Sequence, residues 1–241
     1  TTRYRRKVSS SACSDISNSI RIIVHKPILN NNITLLSGGV TDTICNGQVP
    51  GLLQGTTATG GTNIPGNYAY QWQFSTDNIN FSPVPTGGTG ITYQPPVLTI
   101  TTYYIRQVTS GACSVLSNAT IIITVLQPIT GNTISANQTA VCYNTVPDPL
   151  TGATLSGGAG AGTYSFLWEQ STDGGTAWTA ADGINTLDSY QPPSLKIPMR
   201  YKRTVKSGSY DCSKISSIPV DIGINPLPSS LINAGPPDTT V

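Results

Sequence analysis

Cysteine is the residue type in this chain with the clearest chemistry, and its placement is regular. Cys45 and Cys113 are followed, at nearly the same separation, by Cys142 and Cys212, and Cys13 precedes them. One pair per stretch at matched positions reads as a disulfide framework, which belongs to an oxidising, exported setting. The expected pairs are Cys45–Cys113 and Cys142–Cys212. Cys13 is then the second cysteine of a preceding repeat, with its partner outside the chain. Closing a loop of that length stabilises a domain by about 4 kcal/mol in the chain-entropy model. No Cys-x-x-Cys occurs, which argues against structural zinc.

Other reactive groupings are thin. The single histidine, His25, lies at an expected domain junction, and the single glutamate, Glu169, lies inside a strand-like run. No Ser/His/Asp or Cys/His set can be assembled within one repeat. Acids for glycoside hydrolysis would have to come from the scattered Asp173, Asp182 and Asp188. The run Gly157 to Gly162 mimics a nucleotide loop but opens no helix, so it is expected to be a flexible connection. The chain is expected to be no enzyme and to carry neither cofactor nor metal.

Two groupings suggest binding or local structure instead. Ser171, Asp173, Gly175 and Trp178 form the pattern Ser-x-Asp-x-Gly-x-x-Trp, echoed more loosely by Ser75, Asp77 and Phe81. The first copy resembles the Asp-box of sialidases and other secreted β proteins. That resemblance implies a structural hairpin: the aspartate accepts turn amides, glycine supplies positive φ, and the aromatic packs back beneath. Calcium at Asp77 or Asp173 would need further acids that are missing. Tyr93 and Tyr190 each precede Gln-Pro-Pro. They are expected to pack over a sandwich edge, with sugar stacking as the alternative.

These groups are carried by a sequence that repeats. Thr101 to Ser114 echoes Thr1 to Ser14 and returns, degenerate, as Met199 to Ser213; Tyr4, Tyr104 and Tyr201 match, as do Arg6, Arg106 and Arg203. A period of about one hundred residues is too long for a solenoid unit and suits an autonomous domain. The expected divisions are 1–28, the last strands of a truncated repeat; 29–129 and 130–226, two complete repeats; and 227–241, the start of another. Pro27, Pro128 and Pro226 mark the junctions and are expected to end each last strand.

Within a repeat every signal is β. Tyr68 to Phe74 and Tyr164 to Gln170 alternate, and turn-forming clusters separate such runs. About seven short strands per repeat indicate an all-β fold of tandem immunoglobulin-like or fibronectin-III-like β-sandwiches. Trp72 and Trp168 are core candidates. Tyr104 and Tyr201, each six residues after a leucine, look like a tyrosine corner. Alternation puts Arg106 on the face of Tyr104. It is expected to lie over Trp72 with its guanidinium in water.

Composition narrows the partners. Only 10% of the 241 residues are charged and the net charge is +2, so no basic stripe is available to displace counterions from nucleic acid. The run Arg3, Arg5, Arg6 and Lys7 is not kept in the later copies and reads as a solvated strand face. No stretch reaches the roughly 18 apolar residues of a membrane span.

The order Trp-(Gln/Glu)-x-Ser-Thr-Asp, Tyr-Gln-Pro-Pro, Thr-Thr-Tyr-Tyr-x-Arg and Ser-Gly-x-Cys-Ser resembles repeats of very large cell-surface proteins of Bacteroidota, including the mobile adhesins of gliding flavobacteria. The resemblance implies type IX secretion, display on the outer surface and a role in adhesion or gliding. Partners would be surface polysaccharide or substratum, and neighbouring repeats. It also implies O-glycan attachment at Asp-(Ser/Thr) triplets, which Thr43 and Thr239 match. A carbohydrate-binding module using loop aromatics is the rival reading.

Overall fold

The computed structural model describes residues 1–62, 68–208, 210–215 and 218–226. The chain divides into two units, Thr1–Val125 and Leu126–Val241. The first four strands are β1 (Thr2–Tyr4), β2 (Lys7–Ser10), β3 (Cys13–Ile16) and β4 (Ile20–Ile22). They pair as β1–β4 and β2–β3, and all their side chains are exposed.

The rest of the first unit holds β5 (Lys26–Leu29), β6 (Ile33–Leu35), β7 (Thr41–Cys45), β8 (Leu53–Gly55), β9 (Thr59–Gly61), β10 (Ala69–Ser75), β11 (Ser82–Pro83), β12 (Thr102–Ser110), β13 (Cys113–Leu116) and β14 (Ile121–Thr130). One layer runs β11-β10-β12-β14, with β13 also on β12 and β7 on β14. The other layer pairs β5 with β9 and β6 with β8, and is extended by bridges Leu53↔Tyr93 and Gln48↔Leu98. Side chains alternate along each strand. Most inward ones meet in one core, with Ile33, Leu35, Leu53 and Tyr93 from one layer and Trp72, Tyr104, Ile121 and Ile123 from the other, while Ile28, Ala58 and Val108 form a second cluster.

The second unit repeats this plan with β15 (Ile134–Ser135), β16 (Ala140–Cys142), β17 (Thr151–Gly152), β18 (Ser156–Gly158), β19 (Tyr164–Ser171), β20 (Thr179–Ala180), β21 (Met199–Ser207), β22 (Tyr210–Ile215) and β23 (Val220–Asn225). Its layers are β16-β23-β21-β19-β20 with β22, and β15–β17 extended by Thr145↔Leu195 and Leu150↔Tyr190. Trp168, Leu150, Tyr190, Tyr201 and Ile222 fill the core. Each unit is an immunoglobulin-like sandwich with an A′-type strand on its last strand, parallel in β16–β23.

Two sequence expectations change. Pro128 does not end a strand: β14 continues through it, and the register shifts between Gln127 and Thr130 where β14 meets β18. A proline is tolerated at such a bulge because no ladder hydrogen bond needs its nitrogen. Pro27 likewise lies inside β5, whose register shifts between Lys26 and Leu29. The run Gly157 to Gly162 is only partly a loop, because β18 takes in its first two glycines. Gly157, at φ 85°, is needed there, since a Cβ would lie 2.1 Å from the Pro128 carbonyl oxygen.

Candidate functional site

The residues common to both units converge on a buried arginine. In β12, alternation turns Tyr104, Arg106 and Val108 inward, and Arg106 is paired across the sheet with Trp72. Arg203 is paired with Trp168 in the same way. Both arginines are essentially inaccessible, at 0% and 1% exposure. The expectation of a guanidinium in water is therefore overturned. The group does lie over the indole, 5.7 Å from Trp72 and 5.8 Å from Trp168, but inside the sandwich.

A buried cation persists only where its donors are satisfied. Arg106 Nε donates to Asn31 Oδ1 (3.0 Å), Nη1 to the Ile91 carbonyl (3.2 Å) and Nη2 to the Thr56 carbonyl (2.7 Å). Asn31 Nδ2 donates back to the Arg106 and Val115 carbonyls, so one amide ties three strand segments together. In the second unit Arg203 Nε donates to Asn132 Oδ1 (3.0 Å) and Nη1 to the Asp188 carbonyl (2.7 Å). Burial pushes both guanidinium groups below their ordinary range, opposed by Tyr70 at Arg106 and Asp188 at Arg203. Asn31, Asn132, Gly55 and Gly152 escaped the sequence reading. A Cβ at Gly55 would lie 1.8 Å from Arg106 Nη1, and one at Gly152 1.5 Å from Arg203 Nη1. Their recurrence in both copies was the available signal.

Tyr93 and Tyr190 belong to this core, which corrects the sugar-stacking alternative. Tyr93 stacks on Trp72 at 6.2 Å and meets Tyr104 at 5.8 Å; Tyr190 stacks on Trp168 at 5.7 Å and meets Tyr201 at 5.5 Å. Tyr93 and Tyr190 keep 6% and 1% of their surface, so neither face is free for a sugar ring. Burial pushes the Tyr190 phenol up to about 12 and raises Tyr104 and Tyr201 further. The clefts beside Tyr104 and Tyr201, of about 230 and 270 Å³, are lined largely by the Pro96 to Ile100 and Pro193 to Ile197 segments.

The two hairpins are closed by their aspartates. Asp173 accepts from the amides of Thr176 and Ala177 (3.0 Å each) and from the Ser171 hydroxyl (2.7 Å). Trp178 Nε1 donates to the Gly175 carbonyl (2.9 Å), and Gly174 and Gly175 take φ of 74° and 96°. Asp77 accepts from the Ile79 and Asn80 amides and from Ser75, while Phe81 is half-buried. The Asn80 amide, then the Ser75 hydroxyl, holds Asp77 far below the usual carboxylate range; the Ala177 amide, then the Ser171 hydroxyl, lowers Asp173. Among the described residues, no three His, Cys, Asp or Glu side chains converge.

The cysteines differ from expectation. Cys45 and Cys212 are disulfide-bonded, whereas Cys13, Cys113 and Cys142 are free thiols. Neither Cys45–Cys113 nor Cys142–Cys212 is formed, and the reason is distance. Cys113 faces Ser110 at the far end of β12, while Cys45 is held beside Leu98, before β12 begins, through Gln48 and the Gly47 amide. Nine strand residues separate the two ends, about 30 Å, against the roughly 4.4–6.8 Å between Cα atoms that a disulfide needs. The same holds for Cys142, opposite Asn225, and Cys212, just past the Ser207↔Tyr210 pair. Thr43 is half-buried within β7, and Thr239 lies outside the described residues.

A family model described as a domain of unknown function, DUF8696, matches the chain twice, over residues 37–127 and 130–226. The chain belongs to this family. A search of the curated proteins finds no relative. Solved structures that resemble this DUF8696 chain include a three-domain segment of titin, at 14% identity and TM-score 0.47, covering 94% of this chain and 75% of that one. Three N-terminal domains of the bacteriophage RB49 outer capsid protein Hoc match at 12% and 0.43, covering 90% and 76%. Extracellular domains 3–5 of Drosophila OTK match at 9% and 0.41, covering 94% and 71%.

Proposed function

We propose that this chain is a non-enzymatic structural and adhesive segment of a very large cell-surface protein, in which successive sandwiches form a semi-rigid, disulfide-stabilised stalk outside the cell. One observation carries the reading. What the two units hold in common is the apparatus that keeps a sandwich shut: the arginine, its asparagine, the glycine that makes room, and the Trp–Tyr–Tyr stack. What differs between them is much of the outward face, where Arg200, Lys202 and Asp221 stand against Tyr103, Ile105 and Ile122. Repetition of the closing apparatus with variation of the outward face suits an element that must resist extension more than one that must present a fixed ligand site. The order of sequence motifs supports the finer form, an outer-membrane-attached gliding adhesin of Bacteroidota exported by type IX secretion. Polysaccharide or substratum would be met by other parts of the protein, with neighbouring repeats as the immediate partners.

A glycan array probed with the 241-residue chain separates this reading from a carbohydrate-binding module. The stalk reading expects no saturable signal, and retention competed by soluble glycan overturns it. Protease shaving of intact cells tests display: repeat-derived peptides are expected in the released fraction, and their absence there contradicts an outer-surface location.

A further inference from the structure

We propose that the second sandwich binds a small monocarboxylate with an apolar body, in a cleft where Arg203 presents its one unpartnered nitrogen. The site lies wholly within the second unit. It goes beyond the stalk reading, which does not depend on it.

Arg203 keeps 1% of its surface. Its Nε and Nη1 donate to Asn132 Oδ1 and to the Asp188 carbonyl, whereas Nη2 is buried without a hydrogen-bond partner. Both acceptors are neutral, and among the described residues no carboxylate forms a salt bridge with this guanidinium. An orphaned donor on a buried cation is costly, more so than on a neutral group. The acceptor that satisfies it best is an anion, through a charge-assisted hydrogen bond. The first unit shows the same arrangement with the donor filled, since Arg106 Nη2 donates to the Thr56 carbonyl (2.7 Å).

The unpartnered nitrogen sits beside the wall of a cleft. Gly152 and Arg203 both line a space of about 290 Å³, and a Cβ at Gly152 would lie 2.7 Å from Nη2. That volume falls just under the roughly 300–1,000 Å³ of pockets for drug-sized ligands, so the occupant is smaller than those. Leu155, Ala161 and Phe166 supply apolar wall, and the Phe166 ring lies 5.2 Å from the guanidinium carbon. One cation among apolar walls suits a carboxylate carried on a short aliphatic or aromatic body. A bare halide would leave the walls without contacts, and a sugar would leave hydroxyls without partners.

Two features bear on entry and strength. Nη2 is covered, so an incoming oxygen must displace part of the wall. Gly160 and Gly162 have nothing within 4 Å of where a Cβ would stand, and turn hydrogen bonds, not packing, anchor the segment through Ala161. It can yield without breaking a core contact. Asp188 also lines the cleft, and its carboxylate opposes the ligand's charge. Asp188 is exposed, where water screens it, while Arg203 acts from a buried position, so attraction prevails.

The test is a heteronuclear NMR titration of the 241-residue protein with sodium benzoate at constant ionic strength, with sodium chloride as the control. Saturable shifts are expected at Gly152 to Leu155, Phe166 and Arg203, with none at the matching Gly55 and Arg106 of the first unit. Butyrate is expected to compete for the same site. R203M is expected to weaken binding by about tenfold or more, the worth of one charge-assisted hydrogen bond. Because R203M also removes a core group, A161F, at an exposed wall position, gives a second reading: the same loss with the fold intact. D188N is expected to tighten binding. Shifts that fail to saturate, that appear equally in both units, that chloride reproduces, or that survive both R203M and A161F overturn the proposal, as does weaker binding in D188N.

Discussion

The two units solve one packing problem with unequal completeness. In the first, every guanidinium nitrogen of Arg106 has an acceptor, and the ring beneath it is Tyr70, whose hydroxyl takes the Ala58 amide. In the second, Arg203 Nη2 is buried without a partner, and Phe166 stands in for Tyr70. A buried unpaired donor costs about 1–3 kcal/mol. The second unit spends more on its surface. Arg200 and Asp221 form a two-point ion pair, and Lys202 lies between Glu169 and the Trp178 ring; at matching positions the first unit has Tyr103, Ile122, Ile105 and Gln73. The comparison teaches that the buried arginine is the fixed requirement of the fold, while the means of supporting it varies.

The largest effect is expected from removing the guanidinium. R106M leaves Asn31 and two carbonyls without a donor and is expected to destabilise the first unit by about 3–5 kcal/mol. R203M should cost about 1–2 kcal/mol less in the second unit, because it also removes an unsatisfied donor. Denaturant unfolding reads both losses, and equal ones would break the comparison. Next comes G152A, whose Cβ occupies the space of Arg203 Nη1. A loss of about 2–3 kcal/mol is expected, and much less when R203M is already present, since the two changes share one contact. Additivity in that double-mutant cycle would contradict the role given to Gly152.

Smaller effects concern pH and surface charge. Asp173 and Asp221 have folded pKa values below their unfolded ones, the second because of hydrogen bonds from Arg200. Their contribution is therefore full above the unfolded carboxylate range near ~4 and lost as pH falls through the folded values. Asp77 does the same for the first unit. A double variant, D173N with D221N, should flatten the acid limb of the second unit's melting curve and leave the first unit's unchanged. D221N alone, at an exposed pair, should cost only a few tenths of a kcal/mol at neutral pH, seen as a loss of salt dependence.

Much of this was legible in the sequence. Alternation around Trp72 and Trp168 gave the strands, and the Ser-Thr-Asp turns gave the hairpins, because both signals are local. The buried arginine was seen but misplaced. Its acceptors, Asn31, Thr56 and Ile91, lie far apart in sequence and cannot be summed by reading one strand. Cysteine pairing failed for a related reason: matched spacing says that two positions recur, not which end of a sandwich each occupies. Tyr93 and Tyr190 are expected over a sandwich edge beside their prolines; both instead lie within the core, beside the bridges Leu53↔Tyr93 and Leu150↔Tyr190.

End-to-end pulling of the reduced chain tests the central claim most directly. Two unfolding events are expected, each releasing about one repeat of chain, and R106M should weaken one event while leaving the other at its original force. A single event releasing both units, or equal weakening of both by R106M, would contradict an array of separate sandwiches, each locked by its own arginine.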